Sequence, residues 1–132
     1  IGEVTARGYG IKTQYEGVER YNTLYQVTLE SINMVFLGAL GSETIDPHIL
    51  SELGNIDILF VPIGGGDVLD VPAASKLATK LEARCIIPMH GNENAVKAFL
   101  KEEGVEVKPV DKLTIKKKDL LEMESEIVVL KN

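Results

Sequence analysis

The chain has 132 residues, 45% of them hydrophobic, with 14 basic against 20 acidic side chains and a net charge of −6. That composition describes one domain-sized unit with enough apolar surface for a core. It lacks the concentrated basic face of a nucleic-acid groove, an apolar run near the roughly 20 residues of a membrane span, and a secretory leader.

A single cysteine excludes an intrachain disulfide and a multi-cysteine zinc site, and a cytoplasmic setting is expected. Ile1 rather than Met stands first, compatible with a start inside a longer protein.

The N-terminal third is predicted to be β. Glu3 to Thr13 alternates loosely, and Asn22 to Leu29 and Ile32 to Leu37 are rich in β-branched and aromatic residues. Glu30-Ser31 reads as a tight turn between the last two. The polar stretch Gln14 to Tyr21 reads as a longer loop.

From Asp46 the pattern changes to alternating helix and strand. Asp46-Pro47 supplies an N-cap and a proline in the first turn, for a short helix to about Leu53 that Gly54 stops. A strand over Asp57 to Ile63 follows. Asp70 then caps a helix with Val71, Ala74, Leu77, Ala78 and Leu81 on one face. After a strand from Arg84 to Met89, Asn92 caps a further helix with Val96, Phe99 and Leu100 as its stripe, ended by Gly104. Short strands are expected near Glu106 to Pro109, Leu113 to Ile115 and Ile127 to Leu130. The basic run Lys116 to Lys118, offset by Glu122, Glu124 and Glu126, reads as a solvated turn.

The expected architecture is a β-meander joined to βαβα units in an α/β layer. Three helices can cover only one face of such a sheet. Yet the strands Ile58 to Ile63 and Cys85 to Met89 are apolar at odd and even positions alike, so both faces call for burial. The uncovered face is expected to meet another part of a longer polypeptide or a second copy of this chain.

Candidate chemistry concentrates where those strands end. His90, at the tip of Cys85-Ile-Ile-Pro-Met-His90, is either a metal ligand or a strand-end histidine bonded to the Gly91-Asn92 turn. Gly64-Gly65-Gly66-Asp67 follows a strand and precedes a helix, which invites a phosphate-binding reading. It fails G-x-G-x-x-G at Leu69, lacks G-K-[ST], and carries Asp67 and Asp70, so a close-packed turn is the better account. Asp70 reads as a helix cap, His48 as an exposed residue of the short helix, and Cys85 as a buried thiol inside a strand. Gly41-Ser42 lacks the flanking glycine of a nucleophile elbow.

Several blocks in order resemble the metallo-β-lactamase superfamily. The likeness is to the Zn-dependent hydrolases of β-lactamase fold related to ascorbate-6-phosphate lactonase. Ile1-Gly2-Glu3-Val4 is similar to a segment near the midpoint of those proteins. Tyr21 to Gly41 resembles their hairpin ending in histidine-leucine-glycine-aspartate. Asp57 to Asp70 resembles their "DILLIPVGG…TID" block, and Ile87-Pro88-Met89-His90 resembles their final "IPMH". Leu113 to Ile115 and Val128 to Leu130 fit the tail.

The resemblance runs over 1–132 but corresponds to the C-terminal half of those proteins. It implies one domain that is half of an αββα sandwich, a mixed β-sheet with helices on one face. In that family one or two metals are held by an H-x-H-x-D-H cluster in the other half, which this chain lacks. The resemblance places Phe36 where the family has a histidine, Ala39 where an aspartate bridges the metals, and Ile11-Lys12-Thr13 where a further histidine is expected. Only His90 keeps a ligand position.

The functional expectation is therefore a degenerate domain without a metal cofactor or hydrolase activity of its own, serving as a dimerising or partner-binding unit. The alternative is the C-terminal half of a metal-dependent hydrolase, with zinc or another divalent metal held once the missing N-terminal half is supplied. Neither nucleic acid nor membrane is an expected partner.

Overall fold

The computed structural model describes residues 4–15, 18–38, 47–64, 70–89, 92–111, 117–123 and 126–130, with 11–15, 18–22 and 117–118 described as backbone. A six-stranded mixed sheet organises the chain, in the order β1 (Val4–Tyr15), β2 (Val18–Leu29), β3 (Ile32–Phe36), β4 (Ile58–Pro62), β5 (Cys85–Met89) and β6 (Glu126–Ile127). The first three strands pair antiparallel and the last three join in parallel. Helices α1 (Pro47–Leu53), α2 (Val71–Leu81), α3 (Glu93–Glu103) and α4 (Lys117–Leu121) lie between the later strands.

Local signals explain most of these boundaries. The Asp70 carboxylate accepts the Ala73 N–H at 3.0 Å, and the Asn92 side chain accepts the Ala95 N–H at 2.9 Å. Each satisfies a donor that the first helical turn leaves unpaired. Gly104 ends α3 at φ 72°, its N–H bonded to the Leu100 and Lys101 carbonyls. Between β2 and β3, Glu30 and Ser31 both take positive φ (49° and 66°), which a two-residue hairpin turn requires.

Three expectations need correction. Gln14 to Tyr21 is not a long loop. β1 and β2 pair without interruption out to Tyr15 and Val18. The last four of the twelve ladder pairs, Lys12–Tyr21 to Tyr15–Val18, carry the polar sequence as strand, because backbone pairing by itself imposes no apolar period.

The basic run is not wholly a turn either. Lys117 and Lys118 open α4, and Lys116 lies outside the described residues. Among the described side chains of this one-turn helix only Leu120 is buried, too little to print a 3.6-residue period.

In the tail, 106–109 form no strand, and Leu113 to Ile115 lie outside the described residues. Val110 bridges Leu130 beyond β6, its N–H donating to the Val129 carbonyl at 2.8 Å.

The core has two parts on opposite sides of the sheet. On one face Leu59 and Val61 of β4 and Ile86 of β5 pack with α1 to α3 through Leu53, Leu77 and Phe99, all fully or nearly fully buried. This is the expected one-sided helical layer. The intervening residues Ile58, Cys85 and Ile87 point the other way and are closed over by Leu120 of α4. The last helix thus covers part of the second face, the β4–β5 half.

Candidate functional site

The C-terminal ends of β3, β4 and β5 lie side by side because those strands are parallel. Backbone hydrogen bonds extend the alignment past the strands, from Leu37 N–H to the Phe60 carbonyl at 3.1 Å and from Ile63 N–H to the Met89 carbonyl at 2.9 Å. Open parallel sheets gather chemistry at this end because every loop leaving it starts from a fixed backbone. Gly38 leaves β3 at φ 64°, and Gly64, exposed, leaves β4.

The side chains described here are apolar or already engaged. Phe36 and Phe60 stack face to face, with ring centroids 4.3 Å apart and planes 6° from parallel. Leu37 and Ile63, at these strand ends, are buried in the core on the opposite, helical side of the sheet. Asp70, opening α2, is the helix cap described above. Ala39, Gly65, Gly66, Asp67 and His90 lie outside the described residues. Ile11 to Thr13 are backbone of β1.

His48 is the second residue of α1 and exposed, as expected. Cys85 is fully buried, and burial first, with the Glu126 carboxylate second, pushes its thiol up to about 11. A protonated, enclosed thiol is no nucleophile at neutral pH.

A metal centre of the kind the resemblance implies needs three or more converging protein ligands. Among the described residues no three His, Cys, Asp or Glu side chains converge in that way. A phenyl ring has no lone pair to give, so the stacked Phe36–Phe60 pair does not fit a metal.

The opposite end of the sheet carries a polar network that the sequence reading missed. Asn33 Nδ2 donates to the Leu53 and Asn55 carbonyls at 2.9 and 2.7 Å, and Gln26 Nε2 donates to the Asn33 Oδ1 and Leu53 carbonyl at 2.9 and 3.0 Å. The Asn33 N–H donates to Asp57 Oδ2 at 2.8 Å, and Arg84 approaches the other Asp57 oxygen at 3.8 Å. These groups cap the C-terminal carbonyls of α1 and tie the β2–β3 hairpin to the start of β4. Their clearest sequence signal is the amide of Asn33 in the otherwise apolar β3. The network is architectural.

Comparison with known proteins gives this geometry a context. A family described as "Beta-lactamase superfamily domain" matches residues 1–90. A UPF0173 metal-dependent hydrolase of Listeria innocua is 35% identical over 65 residues, 49% of this chain and 28% of that protein. Another, of Carboxydothermus hydrogenoformans, is 36% identical over 67 residues, 43% and 30% of the two chains. These alignments span less than a third of either relative.

Among solved structures, a candidate Zn-dependent hydrolase of the metallo-β-lactamase superfamily from Thermotoga maritima aligns at 30% identity and TM-score 0.75, over 96% of this chain and 64% of that one. Igni18, a metallo hydrolase of Ignicoccus hospitalis, aligns at 15% identity and TM-score 0.61, over 96% of this chain and 49% of its own, a likeness of fold alone.

Proposed function

The chain belongs to the metallo-β-lactamase superfamily, and we propose that it is a member whose own residues do not assemble a metal site, acting as a partner-binding unit and not as a hydrolase. The observation that carries this reading is the Phe36–Phe60 stack at the strand ends. By the resemblance, Phe36 stands in a histidine's place and Ala39 in that of the bridging aspartate. A stacked aromatic pair is worth about 0.5–1.5 kcal/mol beyond its buried area. The site therefore gains packing energy from the residue that would otherwise bind metal. His90 remains the single candidate ligand, and one imidazole neither holds a divalent ion tightly nor acidifies its water. A cytoplasmic setting belongs to the same proposal. What supports it is the free, buried Cys85 and a set of described residues in which no helix is long and apolar enough to cross a membrane.

A second reading draws on the relatives' names. They are metal-dependent hydrolases, and this chain spans only part of their length. Under it, an H-x-H-x-D-H segment outside residues 1–132 supplies the missing ligands and His90 adds one.

Metal content decides between the two. The protein encoded by the whole reading frame containing this chain, dialysed and measured by plasma mass spectrometry, is expected to hold no stoichiometric zinc, iron or manganese. A full equivalent of any of these, lost in His90→Ala while the fold persists, would overturn the proposal in favour of the second reading.

A further inference from the structure

We propose that the open half of the sheet face opposite α1 to α3 docks a second copy of this chain, an inference that rests on the partner-binding reading above. Alternation along the strands separates the two faces. Val4, Tyr25 and Leu29 are among the most exposed large apolar residues described, at 64%, 53% and 39%. Ladder pairing puts all three on this face: Val4 opposite Leu29, Leu29 opposite Ile32, and Tyr25 opposite Phe36. The alternate positions between them, such as Thr5, Arg7, Gln26 and Thr28, turn to the helical side. A strand with one solvated face normally shows its polar residues to water. Here the apolar set faces away from the helices.

Over the part of this face that β3 supports, the same positions (Val4 to Gly8 of β1, Tyr25 to Leu29 of β2, Ile32 to Phe36 of β3) carry no Asp, Glu, Lys or Arg. That matters for a chain of net charge −6, which meets its own copy without repulsion only across an uncharged surface. Gly8 serves the surface as well. It lies opposite Tyr25 in the ladder, and a Cβ built there would lie 3.1 Å from Thr23 Cγ2 and 3.7 Å from Tyr25 Cε1, so its bare backbone lets both side chains pack close over the edge strand.

Shape selects the occupant. α4 covers only the β4–β5 half of this face, so the open half is a shelf bounded by a step one layer high. A helix on a sheet and a sheet on a sheet both stand about 10 Å apart. Two copies related by a two-fold axis can therefore lay shelf on shelf, with the α4 of each flanking the partner's β1 edge. Leu121 of α4 is 56% exposed. Such an isologous contact uses one patch twice.

Three strands about 4.8 Å apart, each with three alternate positions over about 14 Å, offer roughly 200 Å² in projection. With the flank of α4 and the corrugation of the side chains, two copies would remove on the order of 1,000 Å² from water, the lower edge of specific interfaces. The dimer is accordingly weak and concentration-dependent.

Sedimentation velocity from about 1 to 300 µM covers the range expected of an interface this small. The mean mass should rise from 14.4 kDa toward twice that value. Leu29→Glu and Tyr25→Lys, both at exposed positions, should each weaken association at least tenfold (roughly the loss of one good anchor) while leaving the thermal melt in place. Val105→Glu, beyond α3, should leave association unchanged. A folded monomer at every concentration would overturn the proposal, and so would association that Val105→Glu abolishes and Leu29→Glu does not. Metal content is independent of this outcome. A metal-bearing dimer would sink only the metal-free reading, and a metal-free monomer only the dimer.

Discussion

Asn33 shows how much one side chain can organise. It donates to two carbonyls, accepts from Gln26, and stands in β3 where the alternation alone would admit any β-former. Replacing it by alanine removes one donor from the Leu53 carbonyl, which keeps Gln26 Nε2, one from the exposed Asn55 carbonyl, and one of the two acceptors of Gln26 Nε2, about 1–2 kcal/mol in all. Asn33→Ala should therefore melt roughly 5 °C lower by circular dichroism; a fall within error would mean that water replaces the amide at no cost.

Cys85 makes a pH-dependent contribution at the same scale. Its folded thiol is held at about 11 against 9.0 for the free group, by burial first and Glu126 second. The folded state thus binds this proton more tightly than the unfolded one. The stabilisation is complete below pH 9 and is lost as the pH climbs through 9 to 11, about 2 kcal/mol by the upper end. Urea unfolding of the parent and of Cys85→Ala across that range should diverge by this amount. Parallel curves would assign the alkaline loss to other groups.

At the scale of elements, the β1–β2 hairpin outruns its support. β2 pairs with β3 only over Tyr25 to Leu29, whereas β1 and β2 pair from Val4–Leu29 to Tyr15–Val18. Beyond Tyr25 the ribbon has two strands, and two-stranded ribbons are marginal in water without a face to pack on. Because Phe36, the last residue of β3, sits opposite Tyr25, the ribbon extends past the strand-end site. Amide exchange should be slow from Tyr25 to Leu29 and fast from Val18 to Thr23. Uniform protection along β2 would show that something further packs on the outer ribbon. Polar composition made this stretch read as a loop, since hydrogen-bonded pairing alone imposes no apolar period.

At the scale of the whole molecule, the fold is a single sheet with one face fully built and the other half built. The built face follows from α1, α2 and α3, whose apolar stripes were readable residue by residue. The half-built face is the functional question, because its β4–β5 part is closed by α4 and its β1–β3 part is not. Closure by α4 also lowers the area left for a partner, which is why the proposed dimer is weak. Phe36 belongs to this scale too. Its half-burial against Phe60 makes it part of the packing, so the exposed Tyr25 and Leu29 are the cleaner probes of docking.

The amino-acid order by itself determined the elements with strong local chemistry: the capped helices at Asp70 and Asn92, the stops at Gly54 and Gly104, the Glu30-Ser31 turn, and strands apolar on both faces. It also carried the family resemblance, in blocks such as Ile87-Pro88-Met89-His90. Tertiary structure alone decided which sheet face each apolar residue serves, that Asn33, Gln26 and Asp57 meet, that Phe36 lies flat on Phe60, and that one turn of helix at Leu120 closes half of the second face. Each of these joins residues brought together only by strand register or by the return of the tail. Local periodicity reports how a segment contacts itself, whereas such contacts depend on the global path of the chain.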